Sequence, residues 1–285
     1  MIQLLSTAVG LAPTDPAFWL PLFFFLVLML TVLAGAILDG FDIGVGCLSL
    51  VAPEPLRPRM MALLSPWRDA NEFWLFLGLG IFVVAFPQAW AEVMAQLHLP
   101  LMFLALGVMA RSVCFELRLR APAEQQHLWQ YGFAVGSLMT AFSHGLLLGT
   151  VIINYQGGGG YLWFVLFMGV CAVAAYVLLG ASWLVMREGG ELRMRAVVWG
   201  HRAVRWFAAG AVAASVVLAL ANPGVLLKWS EGTPRLAVLA FWIFTLVGFV
   251  VIEMNLQRLL NVSVRATALP FLITLIIFLA VLLGL

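Results

Sequence analysis

Charge is what this sequence has least of. Only 10% of its 285 residues are Asp, Glu, Lys or Arg, against about a quarter in a soluble domain. So few charges cannot cover a water-facing surface, which excludes an ordinary soluble enzyme or binding module. Cysteine is also sparse. Cys47, Cys114 and Cys171 are scattered in or beside apolar runs, with no C-x-x-C pair, so neither a disulfide framework nor a cysteine metal site is suggested. Paired-histidine metal sites, a Walker loop and a G-x-S-x-G elbow are missing too. The N-terminus lacks the basic n-region of a signal peptide, so the first apolar run is expected to remain as a span.

What is present is apolar. Hydrophobic residues make up 64% of the chain and the mean hydropathy is +1.07, which places the protein in a bilayer at roughly 20 apolar residues per crossing. Eight apolar stretches are readable, at about 17–50, 72–91, 99–117, 131–153, 161–186, 204–221, 236–256 and 268–285. Pro87 and Pro100 fall near span ends, where a missing N–H costs least. With the N-terminus outside and the spans alternating, the inner segments collect Arg57, Arg59, Arg68, Arg111, Arg118, Arg120, Arg187, Arg193, Arg195, Arg202, Arg205, Arg258 and Arg265. The outer segments collect only Lys228 and Arg235. Such a bias is the positive-inside pattern, and it supports both the count and a periplasmic N-terminus. Cations spread over short loops mark topology and do not form a nucleic-acid surface.

The acids then sort by depth. The stretch "LDGFDIGVG" places Asp39 and Asp42 near the inner half of the first span, three residues apart and so on one helical face. The second span opens with "RDANEFW", which places Asp69 and Glu72 at the same inner level, and the third ends "MARSVCFELRLR", which adds Arg111 and Glu116. An ionisable group inside a bilayer costs at least ~2.5 kcal/mol on insertion scales, so such groups face partners or water and mark pathways. Plainer roles compete. Asp69 and Glu72 fit the D-x-x-E capping box. Asp39 and Asp42 could be a structural pair held by Arg111. Glu116 could lie among head groups. Gly40, Gly44 and Gly46 suit close helix packing better than ligand binding. Among the histidines only His144 lies mid-span, and one deep histidine is a weak signal for heme ligation.

Together with "AFPQAWA", "AVGSLMTAFSHGLLLG" and "YVLLGASWLVMREGGELRMRA", these motifs resemble subunit II of the cytochrome bd-type quinol oxidases, including the cyanide-insensitive relatives. The ordered set covers about residues 16–205 and continues faintly to "LPFLITLIIF". The resemblance implies an all-α polytopic protein of about eight transmembrane helices in two four-helix bundles, 1–153 and 161–285. It implies a multi-pass subunit of the bacterial inner membrane, in a complex that oxidises quinol and reduces dioxygen with protons taken from the cytoplasmic side. Catalysis, the b-type hemes and any d-type heme are implied for a heme-bearing subunit I, which this chain would stabilise. Membrane lipid, a structural quinone and a small accessory subunit are further partners the family brings, and no metal is implied on this chain.

On that resemblance Asp39 and Asp42 match the family's paired aspartates, Glu116 its acid near the end of the third span, and Asn71, Glu72 and Trp74 its asparagine–acid–tryptophan stretch. Asp39, Asp42, Glu72 and Glu116 become candidates for a proton path, with Gly40, Gly44, Asp69, Asn71, Trp74, Arg111 and His144 in supporting polar or packing roles. Two departures stand out. Arg68-Asp69-Ala70-Asn71 replaces the Trp-Asp-Gly-Asn often found there, and the family's usual ninth helix has no counterpart before Leu285, so a short variant and a shortened sequence both stay open. Two rival readings are a secondary transporter or ion carrier with a buried carboxylate site, and a purely structural partner. A transporter would show broken spans at the midplane in matched halves, whereas the acids here cluster near one face.

Overall fold

The computed structural model describes residues 10, 12, 14–230, 234–261 and 267–284. Arg265 and Leu285, used above, lie outside the described residues, as does the side chain of Lys228. Among the described residues every regular element is helical and there is no strand. The helices are α1 (Pro16–Val51), α2 (Arg57–Leu64), α3 (Arg68–Ala85), α4 (Pro87–Arg120), α5 (Gln126–Ile152), α6 (Gly159–Arg187), α7 (Gly190–Ala221), α8 (Pro223–Ser230), α9 (Pro234–Asn261) and α10 (Leu269–Gly284). Seven of the eight apolar runs lie along single helices, and the run at 72–91 is divided between α3 and α4 by the break at Phe86. Six helices are long and apolar enough to cross a bilayer: α1, α4, α5, α6, α7 and the Val238–Leu260 part of α9. The protein is a multi-pass membrane protein. α10 is apolar but shorter, and α3 carries Arg68, Asp69 and Glu72 in its first turns.

Local chemistry sets the helix ends. Asp15 precedes Pro16, and its Oδ1 accepts the backbone N–H of Ala17 at 2.9 Å. This is an N-cap followed by proline at the first helical position. Pro87 does more than sit near a span end. It disfavours helical geometry at Phe86, whose φ and ψ are −132° and 56°. The break between α3 and α4 therefore falls there, and α4 runs without interruption through 92–98, where the sequence suggested a connection. Glu92, Gln96 and His98 lower the hydropathy of that stretch but are all exposed, so they do not interrupt the helix. α7 likewise starts at Gly190, well before its apolar run. Gly190, at φ +58°, reverses the chain after α6.

The chain divides into two compact units, Met1–Asp39 with Pro66–Ala95, and Gly40–Ser65 with Gln96–Leu285. In the first, α1 meets α3 through small residues. A Cβ on Gly35 would lie 3.5 Å from the Leu75 nitrogen, and one on Gly78 would lie 3.2 Å from the Thr31 hydroxyl. Phe23, Leu26 and Leu30 on this part of α1 are exposed, as a lipid-facing helix requires.

The second unit is built on backbone-to-backbone crossings. Every residue from Gly40 to Ser49 is buried. A Cβ on Gly44 would stand 2.9 Å from the Gly180 nitrogen and overlap the Tyr176 carbonyl, and one on Gly180 would stand 2.6 Å from the Gly44 carbonyl carbon. α1 and α6 thus touch where neither has a side chain. Gly107 of α4 and Gly136 of α5 repeat the arrangement, since a Cβ on Gly136 would lie 2.6 Å from the Arg111 nitrogen. Small residues at such crossings are how membrane helices gain van der Waals contact, because lipid offers no hydrophobic drive. α6 packs further against α5, α7 and α10, and α9 against α7 and α10. Phe41 stacks on Trp183 at 5.0 Å between ring centroids, beside the α1–α6 crossing.

Gly44→Ala forces α1 and α6 apart, an overpacking cost of about 1–3 kcal/mol. Its apparent Tm in detergent should fall by several degrees. Gly80→Ala, where a Cβ meets nothing within 4 Å, should leave Tm unchanged.

Candidate functional site

The first unit gathers charge at the start of α3. Arg68 is buried, its side chain 4% exposed, and its guanidinium donates to Glu72 Oε2 at 2.9 Å and to Asp69 Oδ1 at 2.6 Å. Glu72 is buried with it, whereas the Asp69 side chain is 81% exposed. The two ion pairs therefore differ in weight. An exposed pair contributes about 0–1 kcal/mol. Removing one partner of a buried pair costs about 3–5 kcal/mol, because the other charge is left desolvated. Asn71 is buried on the same turn, and Trp74 is half-buried one turn along. Asp39, at the end of this unit's part of α1, is 2% exposed. The capping box does not form. Trp67 is the N-cap and no side chain caps the helix. The helix starts two residues too early for Asp69 to cap it, and its carboxylate turns to Arg68 instead.

The second unit buries Asp42 and Arg111 completely, at 0% exposure each. Small residues make room for both. Gly40 and Gly44 flank Asp42 on α1, and the α4–α5 crossing carries the Arg111 backbone against Gly136. The Arg111 guanidinium lies 5.9 Å from the Phe133 ring centroid. The same ring meets α1 at Gly46, where a Cβ would lie 3.1 Å away. Arg111 and the α1 turn that follows Asp42 thus pack against the same ring. Asp39, Asp42 and Arg111 all make further polar or electrostatic contacts. Nearby hydroxyls are already committed, with Ser137 donating to the Phe133 carbonyl and Thr140 to the Gly136 carbonyl.

Glu116 stands apart from that buried group. Its side chain is 46% exposed and sits 3.8 Å from Arg120, one turn along α4. His144 is hydrogen-bonded through Nδ1 to the Tyr176 hydroxyl at 3.1 Å, and the Tyr176 ring is the surface on which Gly40 packs. Among the described residues no three His, Cys, Asp or Glu side chains converge as a metal-binding set. An apolar crevice of about 390 Å³ lies between α4, α5 and α6, lined by Phe103, Leu138, Phe142, Ser143 and Val173 among others. The Ser143 hydroxyl donates to the Met139 carbonyl. The lining of the crevice is almost wholly apolar.

Sequence reading missed several polar contacts that tie the helices together. Glu188, buried at the C-terminal end of α6, pairs with Arg59 of α2. A carboxylate at that end opposes the helix dipole, which is the one local sign that it needs a cation. Arg57 lies over the Tyr131 ring at 4.6 Å. Glu253 of α9 accepts from Arg205 of α7 at 3.0 Å and sits 3.1 Å from His201. These arginines read as topology markers in the sequence, and their partners come from distant helices.

A family model described as cytochrome bd terminal oxidase subunit II matches residues 20–285. The chain is similar to the cytochrome bd-I ubiquinol oxidase subunit 2 of Escherichia coli K12, with 27% identity over 177 residues, which are 56% of this chain and 47% of that protein. It is similar to the cytochrome bd ubiquinol oxidase subunit 2 of Bacillus subtilis 168, with 34% identity over 121 residues, 40% of this chain and 35% of that one. A probable cytochrome oxidase subunit 2 of Haemophilus influenzae Rd is 27% identical over 192 residues, 61% of this chain and 51% of that one. The chain spans about half the length of the curated relatives it matches, or less.

The burial difference within the Arg68 cluster sets an order of effects. Glu72→Gln should destabilise by about 3 kcal/mol and lower the apparent Tm clearly, whereas Asp69→Asn should stay within about 1 kcal/mol.

Proposed function

Because the chain belongs to the cytochrome bd terminal oxidase subunit II family, we propose that it is the non-heme subunit of a quinol:oxygen oxidoreductase in a bacterial inner membrane. In this reading the hemes, and with them the active site, belong to a heme-bearing subunit I. This chain holds that partner in place and supplies polar side chains to proton uptake from the cytoplasmic side. The topology proposed with it has eight crossings in two four-helix bundles and a periplasmic N-terminus.

The observation that carries the proton role is the complete burial of Asp42 and Arg111, with Asp39 almost as buried. Charges held out of water in a bilayer protein cost several kcal/mol each, even when paired. A packing role needs no charge at all. Glu116, half exposed on α4, is the proposed point where protons enter from water. Asp42 is the proposed deeper acceptor.

A structural role for the acids is the second reading. It is favoured by Arg68, which already satisfies Glu72 within one helix turn. The two readings separate in one experiment. In intact complexes, Asp42→Asn and Glu116→Gln should each lower quinol-dependent oxygen consumption per heme about a hundredfold or more, the usual scale for losing a proton-transfer group, with heme content unchanged. Normal turnover per heme with reduced heme content would favour the structural reading, and normal values of both would remove these acids from the reaction.

A further inference from the structure

α7 presents a two-part exposed face that neither the family nor the proton reading assigns. At 100° per residue, Arg195, Trp199, Arg202 and Trp206 fall on one side of the helix. Leu192, Ala196, Ala203 and Phe207 fall on the buried side. Arg195, Arg202 and Trp206 are exposed and Trp199 is half-buried. Further along the same face come Ala209, Ala213, Val216 and Leu220, of which Val216 and Leu220 are 46% and 73% exposed. The helix is thus cationic and indole-bearing along its first four turns and purely apolar on the same side beyond them. That order matches a membrane–water interface crossed along one line, since tryptophan concentrates at the head-group level.

The cations along this helix are not equivalent. Arg195 is neutralised by Glu191 at 2.7 Å and Arg205 by Glu253 at 3.0 Å. Arg202 carries no ion pair with any described residue. It stands between Trp199 and Trp206, one turn to either side, with the apolar ridge beginning at Ala209 below. A planar, always charged guanidinium in that position suits a phosphate oxygen pair, and the indoles and ridge suit the glycerol region and an acyl chain.

We propose that this face is a binding site for an anionic phospholipid, with Arg202 on the head-group phosphate, Trp199 and Trp206 flanking it, and an acyl chain along Ala209–Leu220. The charge match selects lipid over another protein helix, since the face has one uncompensated cation at its polar end and only hydrocarbon below. The inference requires that α7 spans the bilayer and does not rest on the proton reading.

The test uses the complex purified in mild detergent from native membranes. Phosphatidylglycerol bound per complex is measured by native mass spectrometry and by lipid extraction, for the unchanged protein, Arg202→Gln and Arg202→Lys. Arg202→Gln should retain about fivefold less phosphatidylglycerol, the scale for one basic residue near an anionic surface, and Arg202→Lys should recover part of it. Added phosphatidylglycerol should raise the apparent Tm of the unchanged protein but not of Arg202→Gln. Phosphatidylcholine and inorganic phosphate should not separate the two. Equal phosphatidylglycerol retention by all three proteins would overturn the proposal. So would loss of co-purifying protein from Arg202→Gln with its lipid content unchanged, which would make the face a protein interface. If Arg202→Gln does not yield folded complex, the Arg202→Lys retention and Tm shift decide alone, and values equal to those of the unchanged protein count against the site.

Discussion

The α1–α6 crossing at Gly44 and Gly180 is the contact on which the second unit depends. There the two backbones touch with no side chain between them. Packing at that range is the attraction available to helices already dissolved in hydrocarbon. It also draws the C-terminal third of α1 into the protein, so that Gly40 to Ser49 is buried on all sides. Asp42 can be fully buried because its neighbours are small enough to let α6 and α5 close around it. The same economy operates at Gly107 and Gly136, where it seats Arg111.

Polar chemistry is layered onto this frame in two ways. Some charges satisfy themselves locally, as Arg68 does with Glu72 on the next turn of α3. Others bridge helices far apart in sequence, as Glu188 does with Arg59 and Glu253 with Arg205. The glycine crossings bring backbones together, and the bridging pairs join side chains of helices distant in sequence. His144 and Tyr176 add a hydrogen bond between α5 and α6 beside the α1 crossing. This commits the one deep imidazole to its neighbour.

Much of the helix plan was legible because hydropathy is a strong local signal in lipid: apart from the run at 72–91, which Pro87 divides, each apolar run lies along one helix. Boundaries were less legible where polar residues lie on an exposed helix face. Glu92, Gln96 and His98 looked like a connection and are part of α4, while Pro87 marked the true break. The family was readable from an ordered set of short motifs. Within the candidate site, the burial of Asp39, Asp42, Glu72 and Arg111 followed from their depth in apolar runs. The exposure of Glu116 did not, because hydropathy cannot say which side of a helix end meets a neighbour. The capping box failed for a related reason. D-x-x-E specifies a start at Asp69 only if the chain turns there, and the preceding Trp67–Arg68 step turns first. Tyr176, Glu188 and Glu253 were missed because their partners are set by tertiary contact, which leaves no trace at short spacing.

The Gly44–Gly180 crossing also imposes an order on synthesis. Its two halves are about 140 residues apart, so at roughly 5–20 residues per second α1 waits on the order of ten to thirty seconds for α6 to be made. During that interval the exposed apolar part of α1, around Phe23 and Leu30, is at home in lipid. The aspartate-bearing end has no helix yet to enclose it. The nascent chain must keep Asp39 and Asp42 near water, or in the care of the insertion machinery, until the later helices arrive. The place of the carboxylate pair in the C-terminal half of α1, and not in its exposed N-terminal part, is what makes that wait tolerable.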